Sequence, residues 1–439
     1  MIALFLILYF GLMIISATPL VYAIGIATLA LPFVFGVDAT MTYTSIAQSF
    51  VDGCTANNTG ITILLFIVAG DVMSTGKLTE KIFNVFAYFL GKKRGFMPIL
   101  SILTCMFYGA ISGSGPATTA AVGAMCYPML VEMGYDSVFS AAIIVAAGCL
   151  GMVIPPSVPV TGVSALTGGL DMVVLYKIAG VAGVISGILM IVYVFIYCLR
   201  KGNGDQTKIN AWVDGLHQRG LGNVVKESIW ALLTPVLILG SIFTGIADTA
   251  QAAALSLVYA IIVCTFVYKT IKPKEVLEVI RKSAINGAPM LIMIAFATTF
   301  GNAIAAINLT GTLTTALTSA GITGTMIMIG ILILMIPLGC VNAAGVVQII
   351  PVAFPIMIAA GIEPFTASIA VVLMQAVGLI TPPVGLCLFV MQPMAKCSLG
   401  KLGKAVIPYL LIITAVALFL VLFPQLFASM TAGGFIPEI

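Results

Sequence analysis

The residues with chemical promise sit at two breaks in one apolar stretch. Ser112-Gly113-Ser114-Gly115-Pro116 forms the first break and Ile154-Pro155-Pro156-Ser157 the second. Gly and Pro interrupt helices. At membrane depth there is no water to satisfy interrupted backbone, so it persists only inside protein or beside a polar cavity. A bare Na⁺ needs several oxygen ligands in place of its water. Unwound backbone supplies carbonyls, and Ser, Thr or Asn adds side-chain oxygens. Ser112, Gly113, Ser114, Thr118 and Thr119 offer these at the first break, facing the carbonyls of Gly151 to Pro155. A first Na⁺ site is therefore expected at Ser112, Gly113, Ser114, Gly151, Ile154 and Pro155.

The stretch has a second copy. A shift of 227 residues takes Pro128 to Pro355, Gly134 to Gly361, Gly151 to Gly378 and Pro155-Pro156 to Pro382-Pro383. Paired Gly/Pro-interrupted hydrophobic segments mark the binding region of secondary transporters. The same shift predicts a second Na⁺ site at Gly339, Val341, Asn342, Gly378, Thr381 and Pro382. Half-helix N-termini after each break carry partial positive charge, which suits an anion. Neither broken stretch contains Lys or Arg, so a small organic anion is expected to rest between the tips on Ser114, Thr118, Pro156, Ser157, Asn342 and Pro383. The competing structural account is that Ser and Thr back-bond to helix carbonyls and that small residues allow close helix packing.

Composition fixes the class. The chain of 439 residues is 61% hydrophobic and 8% charged, where soluble domains carry roughly 25% charged residues. It is predicted to be an all-α polytopic protein of the lipid bilayer. Its apolar runs are far longer than barrel strands. No basic run resembles a nucleic-acid patch. The nine cysteines lie mostly in apolar runs without a CxxC pair and read as small membrane-buried residues. The apolar start lacks a basic n-region and reads as a retained helix.

An enzyme is not expected. The one histidine, His217, lies in a polar linker and reads as a solvated face, so Ser112 and Ser114 have no base at membrane depth. Asp71 is the one acid well inside an apolar run. An intramembrane carboxylate is a functional candidate, but Lys77 and Lys81 nearby favour a structural pair or snorkelling. Glu132 and Asp136 are expected at the interface. No metal cluster, phosphate loop or redox motif is present in the sequence, and no cofactor is expected beyond Na⁺ as coupling ion.

In chain order, crossings are expected at about 3–18, 20–36 and 60–76, followed by an amphipathic arm at 79–91. A re-entrant hairpin at 95–132, a broken crossing at 137–170 and a crossing at 172–199 complete a first repeat, 1–201. The polar segment 202–227 reads as a cytoplasmic interfacial linker. A second repeat, 228–439, has crossings at 228–247, 249–268 and 283–307, an arm at 308–321, a hairpin at 322–360, a broken crossing at 364–395 and a last crossing at 403–428. Five crossings per repeat require inverted topology. Placing Lys92-Lys93-Arg94 inside puts nearly all Lys and Arg in cytoplasmic loops, as the positive-inside rule demands. Both termini then lie outside and the two hairpin tips approach from opposite faces.

At these residues the sequence resembles a known family. SGSGPATTAAVG, PMLVEMGYD and AAGCLGMVIPPSVP, then IIPVAFPIMIAAGIEP and AVGLITPPVGLCLFV, resemble the large membrane subunit of tripartite ATP-independent periplasmic (TRAP) transporters, the DctM-like permeases. FIVAGDVM resembles its early segment, with Asp71 where the family has Glu. Several members read GSS where Gly113 to Gly115 stand. The resemblance implies an elevator-type member of the ion transporter superfamily in the bacterial inner membrane. It implies Na⁺-driven uptake of a C4-dicarboxylate, sugar acid or sialic acid delivered by a periplasmic solute-binding protein. It also implies a small four-helix membrane subunit, expected as a separate polypeptide. The alternative is a stand-alone Na⁺- or H⁺-coupled carboxylate symporter of the same superfamily.

Overall fold

A computed structural model describes residues 25–30, 32, 42–55, 59–93, 95–168, 170–202, 204–306, 311–312, 315, 319, 321–341 and 345–431. The first expected crossing, most of the second, Asp38 and most of the arm at 308–321 lie outside the described residues. Among the described residues the secondary structure is helical, without strands.

The helices, in order, are α1 (Tyr43–Thr55), α2 (Thr59–Thr75), α3 (Leu78–Leu90), α4 (Phe96–Ser112), α5 (Gly115–Glu132), α6 (Ser137–Cys149) and α7 (Val158–Thr167). There follow α8 (Met172–Lys201), α9 (Gln206–Gln218), α10 (Leu221–Phe243), α11 (Thr249–Ile262) and α12 (Pro273–Ala306). The remainder are α13 (Gly324–Val341), α14 (Gly345–Ala359), α15 (Pro364–Leu379), α16 (Leu386–Ala395), α17 (Leu399–Leu422) and a last turn, α18 (Ala428–Thr431). Five of these are long and apolar enough to cross a bilayer: α8, α10, α11 with its π-turn to Val267, α12 and α17. The pair α2–α3 forms a sixth candidate, bent by 66° between Thr75 and Leu78. That bend separates the expected crossing from its amphipathic arm.

Elements 227 residues apart are of the same kind. The hairpin α4–α5 corresponds to α13–α14, and α6–α7 to α15–α16, with an unwound segment between α6 and α7 and between α15 and α16. Their ends are built alike. Asp136 Oδ1 accepts from Phe139 N at 2.8 Å and caps α6. Glu363, one shift later, accepts from Phe365 N and Thr366 N and caps α15. An acid there satisfies N–H groups that the helix leaves free and complements the helix dipole. The turns before these caps use Gly134 and Gly361, both at positive φ. Both Pro-Pro bonds, Pro155-Pro156 and Pro382-Pro383, are cis.

The core lies around α6 and α15. Every residue from Phe139 to Cys149 and from Phe365 to Leu379 is buried. A helix that is apolar all round belongs inside. α4 and α5 pack on α6, α13 and α14 pack on α15, and α17 packs on both α6 and α15. A second group joins α2 to α11 and α12, α1 to α12, and α10 to α3 and α11. The two groups meet where α2 and α3 touch α4, where α2 touches α7 and where α12 touches α14.

The polar linker is mostly helix. α9 docks on α3 through a Trp212–Phe83 edge contact and through His217, whose Nε2 lies 2.8 Å from the Tyr88 carbonyl. His217 is half-buried rather than on a solvated face. Its ring finds a carbonyl and an aromatic neighbour, Tyr88, at 4.5 Å between centroids.

Candidate functional site

The first hairpin tip is a two-residue turn between α4 and α5. Gly113 ends α4 at φ 62°, a left-handed conformation that glycine adopts without cost. The space there is also closed to a side chain. A Cβ on Gly113 would lie 2.9 Å from the Pro156 carbonyl oxygen. The Gly113 carbonyl accepts from Val158 N at 3.3 Å, so the tip is bonded to the start of α7. Tip and break, 40-odd residues apart in sequence, form one unit.

Three oxygens cluster at this unit. Ser112 Oγ lies 2.7 Å from Thr118 Oγ1 and 3.3 Å from the Ser114 carbonyl oxygen. Thr118 Oγ1 donates to that same carbonyl at 2.8 Å. Ser112 and Thr118 are buried, whereas Ser114 is partly open. Gly151 backs the cluster, since a Cβ there would lie 3.0 Å from Thr118 Cβ. Neutral oxygens gathered in a triangle can cap one face of a hard cation's ligand shell. Thr119 is turned away and back-bonds to the Gly115 carbonyl at 3.0 Å.

The break contributes unequally. Ile154 packs under Gly183 and Pro155 near Gly180, both on α8. Pro156 places its carbonyl at the tip. The Ser157 hydroxyl is buried and committed to structure: it caps α7 by accepting from Val160 N at 3.3 Å and donates to the Met152 carbonyl. The Ser157 carbonyl takes the Thr161 hydroxyl at 2.7 Å, which in turn meets Tyr176 OH at 2.8 Å.

The second unit is built in the same register. A Cβ on Gly378 would lie 2.6 Å from Gly339 Cα, so α13 and α15 touch backbone to backbone. Cys340 Sγ approaches the Thr381 carbonyl at 3.6 Å. The Thr381 hydroxyl back-bonds to the Val377 carbonyl at 2.7 Å. Thr381 and Pro382 are half-exposed, and Pro383 is exposed. Asn342 and the side chain of Val341 lie outside the described residues. The two units also touch each other. Gly115 at the first tip abuts Leu379 at the end of α15, and Gly162 on α7 abuts Val347 just after the second tip.

Some polar residues here are not apparent from spacing. Gln375 is fully buried in α15 and its Oε1 accepts from Val346 N at 3.1 Å, next to the second tip. The signal for it was an amide inside an apolar run, SIAVVLMQAVGL. Asp71 accepts from Ser283 Oγ at 2.6 Å. This replaces the expected lysine pair. The bend after Thr75 carries Lys81 onto α3, where it meets Glu227 at 3.0 Å. Gly70, beside Asp71, leaves a gap of only 3.1 Å between its would-be Cβ and Ser112 Cα. Among the described residues no group of His, Cys, Asp and Glu could hold a metal ion.

Apolar spanning helices around paired hairpins and broken helices define a multi-pass membrane transporter fold. Two solved transporters share it. The YdaH transporter of Alcanivorax borkumensis aligns with a TM-score of 0.64 over 94% of this chain and 98% of that one, at 12% identity. MtrF of Neisseria gonorrhoeae gives 0.61 over 96% and 94%, at 14% identity.

Sequence comparison narrows the class to a family. Residues 6–426 match the model of the tripartite ATP-independent periplasmic transporter, DctM component. The chain belongs to this family. It is 31% identical to the C4-dicarboxylate TRAP transporter large permease protein DctM of Vibrio cholerae, over 93% of this chain and 92% of that protein. It is 33% identical to the isethionate TRAP transporter permease protein DctMQ of Oleidesulfovibrio alaskensis, over 93% of this chain. The chain spans 63% of the length of that relative. The ectoine TRAP transporter large permease protein TeaC of Halomonas elongata is 27% identical, over 83% of this chain and 84% of that one. These relatives are named as transport permeases, not enzymes.

Proposed function

We propose that the chain is the transmembrane permease subunit of a sodium-driven secondary transporter that imports a small organic acid. The observation that carries this is the oxygen triangle of Ser112, Thr118 and the Ser114 carbonyl, seated where the first tip is bonded to the first break. A set of neutral oxygens, two of them on buried side chains, beside unwound backbone suits a monovalent cation better than an enzyme's chemistry. Moving one Na⁺ down 100 mV releases about 2.3 kcal/mol before any concentration difference is counted. The second site draws on Gly339, Val341, Asn342, Gly378, Thr381 and Pro382 by the repeat register.

The two halves act as inverted repeats, and the tip–break units ride together as an elevator. A carboxylate rests between them, near Ser114, Thr118, Pro156 and Pro383, with sodium and half-helix N-termini supplying positive charge. Relatives carry names for isethionate, C4-dicarboxylates and ectoine, so the cargo is one of a class of small organic ions. A periplasmic binding protein delivers it, and a small four-helix membrane subunit completes the complex in the inner membrane, with both termini periplasmic.

Reconstitution in proteoliposomes tests this. Uptake is expected only with a sodium gradient, the small subunit and the binding protein together. Uptake by this chain alone would instead identify a stand-alone symporter.

A further inference from the structure

The first break rests on one face of α8. Tyr176, Gly180 and Gly183 are spaced i, i+4 and i+7, so they share that face. Ile154 lies 2.6 Å from where a Cβ of Gly183 would stand, and Pro155 lies 3.6 Å from that of Gly180. Tyr176, the third residue of the face, holds the break by hydrogen bonding instead.

The phenol is fully buried. Its hydroxyl lies 2.8 Å from Thr161 Oγ1. Thr161 spends its one hydroxyl proton on the Ser157 carbonyl at 2.7 Å, so the phenol donates to Thr161. Ser157 sits between the two residues that meet the first tip. The Pro156 carbonyl oxygen closes on Gly113, and Val158 N donates to the Gly113 carbonyl at 3.3 Å. A relay of hydroxyls therefore runs from α8 through Thr161 to the backbone on which the tip leans. Links in such a relay polarise and strengthen one another. The local sequence brings them together. α7 ends at Gly168 with φ 66°, and Asp171 then caps α8 by accepting from Val174 N at 3.0 Å. This reversal sets the second turn of α8 beside the first turn of α7.

The relay belongs to the first half. The 227-residue shift takes Ser157, Thr161 and Tyr176 to Val384, Leu388 and Gly403, none of which carries a hydroxyl. There α17 reaches the break by packing alone, with Gly403 against the Pro382 ring. Packing thus suffices to seat a helix on a break. The buried hydroxyls of the first half, which cost free energy unless bonded, serve the placement of its backbone rather than the fold common to both halves.

We infer that Tyr176 is a positioning residue for the first ion site: through Thr161 it holds residues 156–158 against the tip and so fixes the oxygens of Ser112, Thr118 and Ser114, on the reading proposed above that those oxygens bind sodium.

Sodium protection of the full-length protein in lipid nanodiscs tests this. The unfolding temperature is followed as NaCl replaces choline chloride at constant ionic strength, since an ion that binds the folded state stabilises it. Tyr176→Phe keeps the ring and removes the donor. Thr161→Val removes the middle hydroxyl, and Thr161→Ser keeps it. Tyr176→Phe and Thr161→Val are each expected to need about two-fold more sodium, or more, for the same rise in unfolding temperature, as loss of one hydrogen bond implies. Thr161→Ser is expected to titrate like the parent. A purely structural hydroxyl would lower the unfolding temperature in choline chloride and leave the sodium titration unchanged, and that result would overturn the assignment. A shift in Thr161→Ser equal to that in Thr161→Val would overturn it too. A parent that NaCl protects no better than choline chloride would defeat the sodium reading itself, and the assignment with it.

Discussion

Gly109 and Gly151 meet backbone to backbone. A Cβ on Gly109 would lie 2.5 Å from Gly151 Cα, with no flexible side chain to move aside. The first hairpin can therefore press its tip against the first break only because both positions lack side chains. In the second half the shift takes Gly151 to Gly378 and Gly109 to Ile336, and a Cβ on Gly378 would meet the Ile336 carbonyl oxygen at 2.7 Å and Gly339 Cα at 2.6 Å.

Adding a methyl at Gly151 is expected to force the tip off the break. Gly151→Ala should cost about 1–3 kcal/mol through overpacking and abolish transport while the protein still inserts. Thermal unfolding in detergent, with uptake measured alongside, checks this. Full uptake by the variant would show that the close approach is dispensable.

Ser157 has a structural assignment to test. Its hydroxyl caps α7, and loss of such a cap costs about 0.5–2 kcal/mol. Ser157→Ala is expected to lower the unfolding temperature. A stability equal to the parent, with weakened cargo affinity, would return the hydroxyl to the substrate.

Ser283 and Asp71 form a polar contact across the two halves of the chain. Removing one partner leaves a half-buried carboxylate short of a donor, at a cost of about 1–3 kcal/mol. Ser283→Ala is expected to destabilise the protein, whereas Lys81→Ala, which opens a partly exposed pair with Glu227, should cost no more than about 1 kcal/mol. A double-mutant cycle between Asp71 and Ser283 measures the coupling, and a coupling of zero would contradict the contact.

Much of this arrangement was legible in the chain itself. Gly and Pro mark where backbone changes direction: α4 ends at Ser112 and α5 begins at Gly115, and each Pro-Pro pair falls in the unwound segment between α6 and α7 or between α15 and α16. Other features were hidden for physical reasons. The partner of Asp71 lies 212 residues away, and the α2–α3 bend redirects the lysines that proximity in sequence favours. α12 begins at Pro273 rather than near Ser283 because Lys274 to Lys282 keep hydropathy low while helix propensity stays high. At about 1.5 Å per residue, 34 residues outrun a bilayer core of roughly 30 Å, so the charged turns project beyond it. Gln375 and Tyr176 gave only a residue type, since their partners depend on how helices pack.

In the proposed function the oxygens of Ser112, Thr118 and Ser114 hold the coupling ion. The most direct test of this is the sodium dependence of uptake in proteoliposomes for the parent and for Thr118→Val, which keeps the shape and removes one oxygen. The account predicts that half-maximal uptake in the variant requires about ten-fold more sodium, the equivalent of about 1.4 kcal/mol. An unchanged sodium curve at undiminished uptake would contradict it.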